Sequence, residues 1–202
     1  MPQRLAIYPG SFDPVTNGHL DLIQRASKIF GHVVVAALRH DSKDPLFTTD
    51  ERVEMLEHAT SDLPNVSVDS FDGLLVDYAR ERGAKLILRG IRAVSDYEYE
   101  LQMALMNRQL SSELETLFIP AAEQYSYLSS RIVKEVSRLG GDVSGLVPDA
   151  VVARLRAKHS NLYTDEALRT HVADQRIRHD GRHRQGQSTQ SQRGQCDRLR
   201  GG

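Results

Sequence analysis

Tyr8-Pro9-Gly10-Ser11-Phe12-Asp13-Pro14-Val15-Thr16-Asn17-Gly18-His19-Leu20 is the stretch on which the fold turns. It follows Leu5-Ala6-Ile7, an apolar run that reads as a buried strand. It leads into a segment where Leu22, Ile23, Ala26, Ile29 and Phe30 recur at helical spacing. A loop rich in Gly and Pro between a strand and a helix is where an open α/β sheet places its ligand, at the strand's carboxyl end. Asn17 reads as the helix N-cap. Gly18 removes a side chain where a phosphate can approach. His19 falls in the first helical turn, where free N–H groups and the helix dipole favour an anion.

The same alternation continues outward. His32-Val33-Val34-Val35-Ala36-Ala37-Leu38 is an apolar, β-branched run too short for a helix, as expected of a parallel strand covered on both faces. The polar loop after it carries Lys43 to the same rim as His19. Thr48 and Glu51 fit a capping box for a helix whose stripe includes Val53, Leu56 and Ala59. Asn65 to Asp69 reads as a third strand, and Leu74 to Arg82 as a helix ended by Gly83. Lys85-Leu86-Ile87-Leu88 reads as a fourth strand running into a glycine loop, Arg89-Gly90-Ile91-Arg92. The helix from Ser95 to Leu110 is expected to turn Tyr97, Leu101, Ala104 and Leu105 to the core, with Met103 and Met106 in the core or between subunits. Glu115 to Pro120 is a fifth strand. Ser129 or Ser130 caps a helix that stops at Gly140-Gly141, and Pro148 opens a last helix reaching about Lys158. Five strands alternating with helices predict an α/β fold with a five-stranded parallel sheet flanked by helices.

Composition narrows the function classes. The chain has 202 residues, 40% apolar, with a net charge of −1, so no global basic field recommends a nucleic-acid partner. Residues 160–202 hold 8 of the 26 Lys and Arg and 5 of the 27 Asp and Glu, and few large apolar side chains. They are read as a polar, basic C-terminal extension, largely disordered, outside a domain of residues 1–159. The single cysteine, Cys196, excludes an intrachain disulfide. No apolar run approaches the ~20 residues a membrane span needs, and no leader precedes the first strand, so a cytoplasmic protein is expected. No HExxH, GxxxxGK[ST] or GxGxxG stretch is present, nor a nucleophile–base pair. What remains is an anion site on one rim: Ser11, His19, Lys43, Arg89, Arg92 and the Ser129–Ser130 helix start.

Thr16-Asn17-Gly18-His19 after a first strand resembles the (H/T)xGH signature of the nucleotidyltransferase superfamily. Over roughly residues 4–158 the chain is similar to the bacterial phosphopantetheine adenylyltransferase family. The likeness is carried by Tyr8 to Pro14, Ser42-Lys43-Asp44-Pro45, Arg89-Gly90-Ile91-Arg92-Ala93-Val94-Ser95-Asp96-Tyr97-Glu98-Tyr99-Glu100 and Tyr125 to Arg131. The resemblance implies a Rossmann-like nucleotidyltransferase fold that transfers the adenylyl group of ATP to 4′-phosphopantetheine, giving dephospho-coenzyme A and pyrophosphate. It also implies magnesium, a homohexamer and feedback inhibition by coenzyme A. By position, Ser11, Phe12 and His19 would meet ATP, with Gly90, Ile91, Arg92, Glu100 and the run Tyr125, Ser126, Tyr127, Leu128, Ser129, Ser130 and Arg131. Ser11, Lys43, Leu75 and Arg89 would hold the acceptor. Catalysis would fall to His19, Lys43, Arg92 and Ser11, with no metal ligand named. Relatives often carry Ser where Arg131 stands. The alternatives are another acceptor, nicotinate mononucleotide or glycerol phosphate, or a non-catalytic nucleotide- or RNA-binding protein.

Overall fold

The computed structural model describes residues 4–39 and 45–159. Lys43, Cys196 and the extension from 160 onward lie outside them. Residues 1–156 form the unit that carries the fold. Its elements are β1 (Leu5–Gly10), α1 (Asn17–Ile29), β2 (His32–Leu38), α2 (Thr49–Thr60), β3 (Val66–Phe71), α3 (Leu75–Glu81), β4 (Leu86–Ile91), α4 (Val94–Leu110), β5 (Glu115–Pro120) and α5 (Ser130–Arg138). A further helix, α6, begins at residue 149. All strand pairs are parallel, in the order β3-β2-β1-β4-β5. The α/β class with five parallel strands is the expected one.

Strand alternation sorts the core into two layers. Ala6, Tyr8, Val33, Val35 and Leu88 face one way, onto Leu22, Ile23 and Ala26 of α1, Met55 and Leu56 of α2, Val133 of α5 and Leu155 of α6. Ile7, Val34, Ala36 and Ile87 face the other way, onto Val76, Tyr78 and Ala79 of α3. With an apolar residue needed on each face, the strands become the continuous apolar runs seen in the sequence.

Chain order reverses between β1 and β4, the switch point of this topology. Register there explains the crevice. β1 stays paired with β2 as far as Gly10↔Ala37, and β4 with β5 as far as Ile91↔Pro120. Between β1 and β4 the pairing covers only Ala6↔Leu86 and Ile7↔Ile87. Beyond that point the carboxyl ends of the two central strands are not joined.

Several sequence expectations are corrected. Tyr8-Pro9-Gly10 and Arg89-Gly90-Ile91, read as loop, are strand residues, because their outer neighbours continue to pair with them. The cap of α1 is Thr16, not Asn17. Thr16 Oγ1 accepts from His19 N, while the Asn17 amide reaches Gly145 O at 2.7 Å. The Thr48–Glu51 capping box of α2 is present. Its buried stripe, however, is Arg52, Met55, Leu56 and Thr60, with Val53 and Ala59 only half-buried. On α4, Leu101 and Ala104 are half-buried, but Tyr97 and Leu105 are exposed, as is Met106. Only part of that helix meets the sheet, so its apolar side chains exceed what one chain covers.

Candidate active site

Where β1 and β4 part, a cavity of about 340 Å³ opens. Ser11, Phe12, His19, Arg89, Gly90, Arg92, Glu100, Tyr125, Leu128, Ser129, Ser130 and Arg131 line it, all of them expected from the sequence. Ile91, Ser126, Tyr127 and Leu75 do not line it. Leu75 packs instead at the edge of the α3 core layer. Tyr8, Thr16 and Leu22 join the lining and were not foreseen as site residues.

His19 is held by its own helix start. Its Nδ1 lies 3.0 Å from the Thr16 backbone N–H, a group that can only donate, so Nδ1 accepts. In the neutral ring the proton is therefore on Nε2. Burial, aided by the Arg92 charge, pulls the ring's pKa down to about 4, so the ring is neutral at pH 7. The result is one fixed N–H donor on a ring lining the cavity. A capping box built with His at the third helical position escapes the usual Ser/Thr-x-x-Glu pattern, so Thr16 was not recognised from sequence.

The Phe12 ring meets that imidazole edge-on at 5.2 Å and the Tyr8 ring at 5.4 Å. Phe12 has φ 50°, a left-handed conformation that side chains other than glycine rarely adopt. Gly10 gives the ring room, since a Cβ there would sit 2.9 Å from Phe12 Cζ. Burial pushes the Tyr8 hydroxyl pKa up against the pull of Arg89 and Arg92, so Tyr8 stays protonated.

The two arginines at the end of β4 are both engaged by α4. Arg92 Nε lies 2.9 Å from Asp96 Oδ2, and Arg92 Nη1 donates to Leu128 O at 3.0 Å. Arg89 Nε lies 3.1 Å from Glu100 Oε2, and Arg89 Nη1 donates to Pro9 O at 3.3 Å. Asp96 and Glu100 are one helical turn apart, so both carboxylates lie on the same face of α4.

Across the cavity, Ser129 caps α5 by accepting from Ile132 N. Of the two serines offered by the sequence, Ser129 is thus the cap. The Ser130 hydroxyl donates to Pro14 O at 2.7 Å and ties α5 to the first loop. A second tie is the buried Asp13 carboxylate. It accepts from Lys134 Nζ at 2.6 Å, Phe47 N at 2.9 Å and Leu46 N at 3.1 Å. Two helix starts, one neutral imidazole donor and two guanidinium groups thus converge on one crevice, which suits a chain of phosphates.

Fold and site together define a nucleotidyltransferase. The cytidylyltransferase-like family model matches residues 7–136. A phosphopantetheine adenylyltransferase of Alkaliphilus metalliredigens is 55% identical over 155 residues, 77% of this chain and 99% of the relative. One from Heliobacterium modesticaldum is 53% identical over 163 residues, 81% and 97%, and one from Geobacter sulfurreducens 54% over 158 residues, 78% and 96%. The chain belongs to the phosphopantetheine adenylyltransferase family.

Proposed function

We propose that the chain transfers the adenylyl group of ATP to 4′-phosphopantetheine, giving dephospho-coenzyme A and pyrophosphate in coenzyme A biosynthesis. The observation that carries this reading is the convergence of His19, Arg89, Arg92 and the α1 and α5 starts on the cavity between β1 and β4, in a chain 53–55% identical to proteins of that name. The acceptor phosphate is already anionic near neutral pH and serves as its own nucleophile. One of its oxygens bonds to the α-phosphorus as the bond from that phosphorus to the bridging oxygen breaks, and the electron pair leaves with pyrophosphate. No covalent enzyme intermediate is required. The protein's work is to align two polyanions and meet the developing charge with fixed donors.

In this reading His19 Nε2–H, Ser11, Arg92 and the α5 start hold the ATP phosphates. Gly90, Ile91, Glu100 and residues 125–131 hold the rest of the nucleotide. Lys43 and Arg89 hold the acceptor phosphate, and Leu75 lines its arm. Magnesium would arrive with ATP. It would be held mostly by phosphate oxygens and water, and Glu100 is the carboxylate in the cavity lining. When bound, it would neutralise charge on the leaving pyrophosphate. The exposed apolar residues of α4 support assembly with further copies, which we take to be the homohexamer that the resemblance implies, and coenzyme A is taken as its feedback inhibitor. The chain would work in the cytoplasm; among the described residues no helix is long and apolar enough to cross a membrane.

Phosphorus NMR tests the reading directly, with magnesium-ATP and 4′-phosphopantetheine in one tube and nicotinate mononucleotide in another. Pyrophosphate and a new diphosphate ester in the first tube alone are expected. Product in the second tube alone would overturn the acceptor assignment.

A further inference from the structure

Arg52 lines no part of the cavity, yet it is the largest side chain in the described structure with no exposed surface. Its place follows from α2: Arg52, Met55 and Leu56 are spaced i, i+3, i+4, so all three turn to the core. There its guanidinium reaches the carboxyl ends of both β1 and β2. Nη1 donates to Ser11 O at 2.6 Å and to Leu38 O at 2.9 Å. Nη2 donates to Thr49 Oγ1 at 3.1 Å and to Arg39 O at 3.4 Å.

The contact with Ser11 O is the informative one. The next residue, Phe12, is the one with positive φ, so the Ser11–Phe12 peptide sits where the backbone does not rest unaided. A charge-assisted bond to the carbonyl of that peptide opposes its rotation back. Whatever fixes the peptide fixes the Ser11 side chain on one side. On the other it fixes the Phe12 ring, whose edge rests on His19.

We propose that Arg52 is a positioning residue for adenylyl transfer, acting through the Ser11–Phe12 peptide to set Ser11 and His19. The inference rests on the function proposed above. Its test compares Arg52→Lys and Arg52→Met with Thr49→Val, which removes a different partner of the same guanidinium and leaves the Ser11 contact. Turnover is expressed per bound ATP, so unfolded molecules are not counted. Both Arg52 variants should bind ATP with Kd within about fivefold of the parent, while kcat falls at least about tenfold, the scale of a sub-ångström misalignment. Thr49→Val should stay within twofold in kcat. The His19 imidazole resonance, assigned by its loss in His19→Asn, should shift in Arg52→Lys and not in Thr49→Val. Normal kcat per bound ATP in Arg52→Lys with an unshifted His19 would overturn the proposal. So would an equal loss in Thr49→Val, or Arg52 variants that bind no ATP, since each makes the role one of folding alone. A parent inactive on 4′-phosphopantetheine would count against the acceptor reading. The His19 resonance would then decide the Arg52 proposal by itself.

Discussion

At His19 the hydrogen bond that caps α1 also selects the tautomer that faces the cavity. Asn at this position keeps an acceptor for the Thr16 N–H but removes the donor where Nε2 stood. His19→Asn should therefore stay folded and lose about 10²–10³ in kcat, the usual scale for one transition-state donor. His19→Gln, which places an amide N–H near the lost Nε2, should lose less, and steady-state turnover on the two variants checks the order. The same ring makes stability depend on pH. In the unfolded chain it titrates near about 6.5, and in the fold at about 4. The folded value is the lower one, so the neutral ring's contribution is complete above the unfolded value and is lost as pH falls toward 4. Urea melts should show the parent losing about 2 kcal/mol more than His19→Asn between pH 7 and pH 5.

Among the elements, strands and helices were legible where apolar runs and caps were unbroken, as in His32 to Leu38 or Thr48-Thr49-Asp50-Glu51. The ends of β1 and β4 were not. Pro9, Gly10 and Gly90 carry the chemistry of turns, and only outer partners such as Ala37 and Ile119 keep them in the sheet. His19, Arg89 and Arg92 could be read because they belong to a local motif. Arg52 and Asp13 could not be assigned a part, because a buried charge is defined by the groups that the fold brings to it. Asp13 shows the strength of such a tie, joining α5 to the first loop and to Leu46 and Phe47. Asp13→Asn leaves Lys134 without its anion and is expected to lower the unfolding free energy by about 2–4 kcal/mol, measured by urea denaturation. Lys134→Met should cost at least as much, because it leaves the buried Asp13 carboxylate with only the Leu46 and Phe47 N–H groups, whereas the partly exposed Lys134 can be solvated.

For the molecule as a whole, α4 is the element whose pattern a single chain does not explain. Leu105 and Met106 are 59% and 55% exposed, on a helix that also leaves Tyr99 and Leu110 in the open. If copies cover this face, Leu105→Glu combined with Met106→Glu should shift sedimentation from the proposed hexamer to smaller species without loss of helical circular dichroism. Sedimentation unchanged from the parent's would place any contact elsewhere. The inner side of the same helix bears on selectivity. Because Asp96 and Glu100 already occupy Arg92 and Arg89, a lone inorganic phosphate must part an ion pair to gain one guanidinium and brings little else. A nucleotide carries three phosphates, a sugar and a base to the same opening, so its many contacts outweigh the same separation. If the site holds ATP as proposed, the carboxylates of α4 would act there as built-in competitors against lone small anions.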